Sequence, residues 1–247
     1  MRWQRFAHYA VSGQPHSSAR QPVGLRWALW REWTLANALA EAVGLGGTLL
    51  AGVLVFAQLE PRIGPVVSAL IGVALGAIVE GSVVGTAQWL VLRAPLAGLR
   101  WRRWAVATAI GAGIAWTLGM TPSVIMALTG PESSGGAEVQ GPEGLAFYAL
   151  AAGLGLVAGP VLAVAQWWVL RDYLPRAAWW IPANALAWAV GMVIVFWGTN
   201  FIPASGMTAS IAAILVGCVI LAGAAVGAIH GLALIWLLRE RDRRRSA

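Results

Sequence analysis

Three ionisable residues stand inside long apolar stretches of this 247-residue chain: Glu41, Glu80 and His230. A charged side chain at the centre of a bilayer costs at least about 2.5–3.5 kcal/mol, so it needs a partner, a proton or water. Two carboxylates and an imidazole at a similar depth can form a proton relay, a cation site or a ligand pocket. The structural alternative is that Glu41 bonds Asn37 or a nearby hydroxyl and that His230 is a satisfied core histidine.

Four amide side chains belong to the same predicted pocket: Asn37, Gln88, Gln166 and Asn184. All four lie about one helical turn from the predicted inner membrane interface, so they share a depth. A hydrogen bond between two such side chains on different helices is worth about 0.6–2 kcal/mol in a membrane. We therefore expect the glutamines to pair with the asparagines as structural links between helices, and the sequence leaves open whether they also line the pocket.

Other chemistries fit the sequence less well. The two carboxylates and the histidine lack the short spacing of metal ligands, so no metal site is predicted. A bound pigment, haem or quinone would depend on His230 as a lone ligand, and the 15 tryptophans fit interfacial belts equally well. The cofactor is therefore unknown. The chain has no P-loop, H-E-x-x-H or G-x-S-x-G motif, and it is predicted not to be an enzyme.

The composition predicts an integral membrane protein. The chain is 59% hydrophobic and only 11% charged, with a mean hydropathy of +0.71, whereas soluble domains are about 25% charged. Six apolar stretches are long enough for a hydrocarbon core about 30 Å thick. They are predicted at about 33–57, 65–92, 103–128, 145–170, 179–201 and 207–238. Residues 1–32 are expected to form a tail with an interfacial segment, and 240–247 a basic tail.

The arginines fall on one side of this topology. With the N-terminus inside, sixteen of the seventeen basic residues occupy inner segments and only Arg62 lies outside. The positive-inside rule then predicts a multi-pass inner-membrane protein with both termini in the cytoplasm. This placement accounts for the net charge of +7 without a nucleic-acid partner. The basic tail at 239–245 could contact anionic lipid, although such a tail also serves as a simple topogenic stop.

One pattern ends three of the spans. The first copy is Gly81-x3-Gly85-x2-Gln88-Trp89-x2-Leu92-Arg93. The copy at 159–171 has Ala163 for the second glycine, and the copy at 227–239 has Leu234 and Ile235 for Gln-Trp. Trp33, Trp104 and Trp180 begin the preceding spans at the inner interface. The sequence therefore predicts an all-α protein of three tandem parallel hairpins at 33–93, 104–171 and 180–239. They can close a pseudo-threefold ring or lie in a row.

The shared ending contains two kinds of structural feature, a seam of small residues and a set of interfacial anchors. Gly81 and Gly85 form a small-xxx-small seam that lets two helices approach closely, and span 6 has a similar seam. Aromatic and basic side chains close each ending as interfacial anchors. The predicted anchors are Trp89, Trp167, Trp236, Arg93, Arg171 and Arg239.

This ending resembles that of uncharacterised bacterial multi-spanning membrane proteins with repeated Gly-x3-Gly-x2-Gln-Trp-x2-Leu-Arg hairpins. The first copy matches at Gly81, Gly85, Gln88, Trp89, Leu92 and Arg93. The resemblance covers most of residues 33–239. It implies a fold family, and it implies no activity.

The function favoured by the sequence is binding or movement of a small solute, an ion or a proton through the polar pocket. Glu41 and Glu80 would carry the proton or cation, and His230 would share the proton. The alternative is a non-catalytic accessory or assembly subunit that docks another membrane protein or a pigment, quinone or haem cofactor. The first function requires the three ionisable residues at one cavity, whereas docking requires the glycine seams to face outward.

Overall fold

The described part of the chain is helical and contains no strand. The computed structural model describes residues 23–129, 144–202 and 208–246. Six long helices occupy these ranges: α1 Val23–Gln58, α2 Glu60–Leu92, α3 Trp101–Thr129, α4 Gly144–Leu170, α5 Trp180–Thr199 and α6 Ala209–Arg245. A short 3-10 turn, Ala177–Trp179, leads into α5. Residues 1–22 of the predicted tail, and residues 130–143 between the third and fourth predicted spans, lie outside the described residues.

All six helices are long and apolar enough to cross a bilayer. The most apolar stretch of each has a mean hydropathy between 1.4 in α3 and 2.5 in α6. The 20-residue α5 alone covers about 30 Å at 1.5 Å per residue. Large apolar side chains also point outward: Leu50 is 65% exposed, Leu70 63% and Leu186 61%. These findings confirm six long apolar helices at the predicted positions and are consistent with a polytopic membrane protein.

The first helix begins before the predicted first span. Residues 23–32, which hold the predicted interfacial segment, belong to α1 and continue directly into the first span. The indole nitrogen of Trp30 donates a hydrogen bond to the carbonyl oxygen of Ala228 in α6 at 2.9 Å. This bond joins the first turns of α1 to the bundle. At the other end of the chain, α6 runs through most of the predicted basic tail to Arg245.

The second helix has a bend and a wide turn. Gly64 has φ +78°, a conformation that favours glycine, and Pro65 follows it. The predicted start of span 2 near residue 65 coincides with this bend. Farther along, Gly76–Glu80 form a π-turn, with one helical segment before it and Gly81–Leu92 after it.

The helices contact one another in a closed ring. Each helix packs against the next one in the chain, and α6 packs against α1. Glycines permit the closest approaches: a Cβ atom added to Gly111 of α3 would lie 2.9 Å from the Cα atom of Leu162 in α4. The contact between the first and last helices decides between the two arrangements that the sequence left open, a ring and a row.

The best-packed core lies at one end of the ring, here called the arginine-rich end, where Arg93, Arg103, Arg171 and Arg241 lie. Trp33, Trp104 and Trp180 form a layer there, the tryptophan layer, and each is 0% exposed. Two connecting segments fold in beneath it through Leu96, Leu99, Leu174 and Ala177. Arg103 pairs with Asp172 at 2.8 Å, and the Arg241 guanidinium donates to the carbonyl oxygen of Pro95 at 2.7 Å. These contacts join the loops across the end of the ring.

The predicted anchors surround this core. The Arg93 guanidinium lies 5.3 Å from the ring centre of Trp89, and that of Arg171 lies 5.5 Å from Trp167. The Trp89 indole nitrogen donates to the carbonyl oxygen of Leu99 at 2.9 Å. Arg239 and Trp236 are half-buried. The anchors therefore lie at the helix ends, and the side of the membrane that this end faces stays a prediction.

The opposite half of the ring is packed far less tightly. In α3, every buried residue lies between Trp104 and Ala112, so the half that ends at Thr129 has none. The last buried residue of α1 is Thr48, and the first of α6 is Cys218. The described helices are therefore tightly joined at the arginine-rich end and loosely joined at the other.

Candidate functional site

One cavity lies at the centre of the ring and is lined by all six helices. Its wall includes Asn37, Glu41, Glu80, Gln88, Thr108, Leu162, Trp188 and His230. The volume open to the centre of a water-sized sphere is about 10 Å³, which is room for about one water molecule. Glu41 of α1, Glu80 of α2 and His230 of α6 thus reach one enclosed space.

Glu80 occupies the last position of the π-turn in α2 and is 7% exposed. Its Oε2 atom accepts a hydrogen bond from the indole nitrogen of Trp116 at 2.8 Å. Gly44 of α1 lies against it, since a Cβ atom at Gly44 would be 3.1 Å from the Glu80 Cα atom. Single π-turns inside α-helices occur frequently at functional sites. The turn, the tryptophan and the glycine together fix this carboxyl group at the cavity wall.

Trp116 and Trp188 were not among the predicted site residues. Trp116 bonds the Glu80 carboxyl group, and Trp188 contributes to the cavity wall. Both stand within predicted spans, away from the ends where interfacial tryptophans are expected. A tryptophan in the middle of a span, rather than at its end, was the sequence feature that could have identified them as site residues.

Glu41 and His230 bring polar atoms without partners to the cavity. Glu41 is 2% exposed, and its Oε2 atom bonds no atom of the described residues. His230 is 1% exposed, and within the described part of the chain neither of its ring nitrogens has a hydrogen-bond partner. The His230 ring lies 5.0 Å from that of Trp180, between centroids. The contacts of the described residues therefore give no support to a satisfied histidine, and they leave one oxygen of Glu41 unpaired.

The four predicted amides and the hydroxyl group of Thr108 form a layer, here called the amide layer: Asn37, Gln88, Thr108, Gln166 and Asn184. Gln88 Nε2 donates to Asn37 Oδ1 at 2.9 Å. Gln166 Nε2 lies 3.0 Å from Gln88 Oε1 and 3.1 Å from Thr108 Oγ1. Its Oε1 atom accepts from the Trp180 indole nitrogen at 2.9 Å. The bonds therefore link α5, α4, α3, α2 and α1.

The predicted pairing of amides is correct in one case and different in the other. Gln88 pairs with Asn37 as expected. Gln166 pairs with Gln88, Thr108 and Trp180 and makes no bond to Asn184 among the described residues. The side-chain oxygen of Gln166 accepts a hydrogen bond from Trp180, and the side-chain nitrogen of Gln166 points toward α2 and α3. Asn184 instead donates to the backbone oxygen of Trp180 at 2.8 Å.

One section of the amide layer is incomplete. Within the described residues, the indole nitrogens of Trp33 and Trp104 and the Asn184 Oδ1 atom are buried without a partner. Leu234, at 0% exposure, stands where the other two endings carry Gln88 and Gln166. A Cβ atom at Gly231, one turn earlier in α6, would lie 3.3 Å from Trp33 Cδ1. The missing glutamine accounts for Trp33 and Asn184, because Gln166 bonds a tryptophan N–H and Gln88 an asparagine oxygen. Among the described residues Trp104 is unpaired although Gln88 is present, since the Gln88 oxygen accepts from Gln166 instead.

Leu234→Gln is expected to stabilise the protein. The new amide would accept from Trp33 and donate to Asn184, removing two unpaired buried groups that cost about 1–3 kcal/mol each. Unfolding in detergent micelles, followed by tryptophan fluorescence, should show a higher midpoint for this variant. Leu237→Gln, a buried leucine one turn farther along α6, is the matched control and should lower the midpoint. Equal decreases in the unfolding midpoint of both variants would contradict the interpretation that the amide layer lacks a glutamine at position 234.

The glycine seams are occupied by helices of this chain. A Cβ atom at Gly81 would lie 2.5 Å from Ala109 Cα, and one at Gly85 2.9 Å from Ala105 Cα, both in α3. At Gly227 of α6, the added atom would lie 2.8 Å from Asn37 Cβ in α1. These glycines face neighbouring helices within the ring, so they offer no support for docking another membrane protein.

The site holds no recognisable metal centre, and comparison with known proteins adds no assignment. In residues 23–129, 144–202 and 208–246, no three His, Cys, Asp or Glu side chains are grouped as metal ligands. No protein family, curated protein or solved structure matches this chain. The geometry of the cavity is therefore the basis for inferring function.

Proposed function

We propose that this polytopic protein binds or moves a proton, or a cation no larger than a water molecule, through its central cavity. The observation that carries the proposal is the convergence of Glu41, Glu80 and His230 on one cavity. An unpaired buried polar group costs about 1–3 kcal/mol, and the cavity gathers several of them. An apolar core of the same shape would avoid that cost, which favours a functional role for these groups.

The size of the cavity narrows the range of substrates. About 10 Å³ is open to the centre of a water-sized sphere, and a water molecule occupies about 30 Å³ of liquid. A sugar or an amino acid needs far more room. A proton needs only acceptor groups and one bridging water. The volume therefore favours a proton over the larger solutes that the sequence alone admitted.

The contacts suggest a role for each ionisable group. Trp116 holds one oxygen of Glu80 by a hydrogen bond, which leaves the other oxygen to accept a proton. Glu41 Oε2 and the unprotonated ring nitrogen of a neutral His230 are further acceptor positions at the same cavity. A proton taken up by Glu80 neutralises its carboxylate, and transfer to His230 or Glu41 restores it. The amide layer holds α1 to α5 together beside these groups.

The proposed membrane topology places the arginine-rich end in the cytoplasm, with both termini on that side. The arginine count supports this orientation through the positive-inside rule. We also propose that the ring consists of three tandem hairpins with pseudo-threefold symmetry. Three equivalent bonds support the repeat: Asn37, Thr108 and Asn184 each donate to the backbone oxygen of the tryptophan four residues earlier, at 2.8, 3.0 and 2.8 Å.

Glu80→Gln is expected to reduce proton flux at least about tenfold, because an amide cannot carry the proton. The amide oxygen can still accept from Trp116, so the fold should survive. Purified protein in liposomes with a trapped pH-sensitive dye and an imposed pH gradient gives the flux. Glu60→Gln, at the far end of the same helix, is the matched control and should retain the wild-type rate. The proposal fails if wild-type vesicles match empty ones, or if Glu80→Gln matches wild type.

A further inference from the structure

We propose that the outer surface of α2 binds one anionic phospholipid at the arginine-rich end of the ring. A shallow hollow on this surface, here called the α2 hollow, takes one acyl chain, and three arginines beside it hold the phosphate. The hollow consists of Ser82, Val83, Thr86, Ala87 and Leu90. It lies on the outside of the ring, so the proposal is independent of the function proposed for the central cavity.

The α2 hollow exists because the first copy of the shared ending carries a leucine where the other two carry tryptophan. Leu90 aligns with Trp168 of α4 and Trp236 of α6. Trp168 is 56% exposed, and the Arg171 guanidinium lies over it, 3.4 Å from its ring centre. Leu90 is 44% exposed and has no ring that could lie along the helix. The surface of α2 therefore keeps a hollow at the place where α4 carries an indole ring.

Arginines stand at one end of the α2 hollow. Arg93 follows Thr86 by seven residues, so the two lie on the same face of α2. The Trp101 indole nitrogen donates to Thr86 Oγ1 at 3.0 Å, which brings the start of α3 against the hollow. Arg100 and Arg102 flank Trp101 in the chain, and all three arginines are exposed. Three positive charges are thereby gathered at the arginine-rich end of the hollow.

This positive charge is not balanced by carboxylates. Residues 93–103 hold four arginines and no acidic residue. Arg103 pairs with Asp172 at 2.8 Å, and the other three form no ion pair within the described part of the chain. The third copy differs, since Glu240 and Asp242 follow its arginine. The first copy therefore departs from the others in its hollow and in its charge at the same place.

The combination of charge and hollow fits a lipid better than a second copy of the chain. A second copy in the same orientation would bring its own arginine-rich end to the same depth, where like charges repel. An anionic phospholipid supplies the opposite charge at that depth, and arginines beside a membrane span attract such lipids. The hollow extends over residues 82–90, about 12 Å of helix axis. That is close to one half of a hydrocarbon core about 30 Å thick, so one acyl chain can lie along it.

Native mass spectrometry of the full chain in detergent micelles tests the lipid site. Phosphatidylglycerol and phosphatidylcholine with identical acyl chains are added in separate samples, and the fraction of protein that retains a lipid is measured. Leu90→Trp gives α2 the tryptophan of the other two copies and so fills the hollow. Leu186→Trp, at a 61% exposed position of α5, is its matched control.

Two triple variants test the charge. The first combines Arg93→Gln, Arg100→Gln and Arg102→Gln beside the hollow. The second replaces the three arginines at 243–245 with glutamine, which removes the same charge from the C-terminal end of α6. Each variant is first checked for a wild-type unfolding midpoint, so that a loss of lipid reports binding and not the fold.

We expect the wild-type protein to retain phosphatidylglycerol at least about tenfold better than phosphatidylcholine, because three arginines contact the anionic headgroup. Leu90→Trp and the first triple variant should each reduce this retention at least about tenfold. Leu186→Trp and the second triple variant should keep it. Equal retention of the two lipids, equal losses in the two triple variants, or equal losses in the two tryptophan variants would overturn the proposal. A dimer that dissociates in Leu90→Trp would overturn it in favour of a second copy.

Discussion

Gly155→Ala is expected to lower the midpoint of thermal unfolding by several degrees. Gly155 of α4 faces α5, and a Cβ atom there would overlap the backbone carbonyl group of Trp188. A backbone group cannot rotate away as a side chain can, so the two helices must separate. Overpacking of this kind costs about 1–3 kcal/mol. For a protein of about 250 residues, each kcal/mol shifts the midpoint by about 2–4 °C. Tryptophan fluorescence during heating in detergent micelles measures the change.

The matched control lies one half-turn away on the same helix. Gly153 has no atom within 4 Å of an added Cβ. Because alanine is a better helix former than glycine by about 1 kcal/mol, Gly153→Ala should keep or raise the midpoint. The two variants have the same composition and differ only in the face that carries the methyl group. Equal midpoints for both would contradict the close contact of α4 with α5.

Gln166→Leu is expected to destabilise the protein by about 2–4 kcal/mol, since hydrogen bonds in membranes are worth about 0.6–1.7 kcal/mol each and unpaired buried groups about 1–3. Gln166 is 0% exposed and bonds Gln88, Thr108 and Trp180. Leucine has a similar volume, so the loss is mainly of bonds. The Trp180 indole and the Gln88 oxygen would remain buried without these partners. Denaturant unfolding in mixed micelles gives the change in free energy.

Thr108→Val is the graded control for this layer. It removes one acceptor of Gln166 and one bond to the Trp104 backbone oxygen, and it keeps the side-chain shape. Its expected loss is smaller than that of Gln166→Leu. A double variant that combines Gln166→Leu with Gln88→Leu should cost less than the sum of the single changes, because the two residues share a bond. Strict additivity would show that the layer does not act as a network.

The two stability variants also distinguish the packing of the helices in the ring from the amide layer beside the cavity. Gly155→Ala acts where α4 meets α5, and Gln166→Leu acts on the layer beside the cavity. A proton pathway that survives both changes would depend on Glu41, Glu80 and His230 alone. Loss of flux in Gln166→Leu with an intact fold would instead show that the amide layer helps to position those groups.

The number and approximate positions of the long helices follow directly from the sequence. An apolar run of about 20 residues must satisfy its backbone groups internally in lipid, so it must be helical. Asn37, Glu41 and Thr48 are spaced by four and seven positions, so they share one side of a helix and are expected on the same face. All three side chains are buried as that spacing predicts. Boundaries were less accurate, since α1 and α6 continue past the apolar runs into charged turns.

Sequence alone therefore determined the helical class, the six spans and the polar residues that need a partner within them. The tertiary structure decided that α6 meets α1, that Gln166 bonds Trp180 rather than Asn184, and that Trp116 bonds Glu80. The periodicity of a sequence shows which face of a helix is buried. It does not show which other helix packs against that face. Glu41, Glu80 and His230 are up to 189 residues apart in the chain, and only closure of the ring brings them to one cavity.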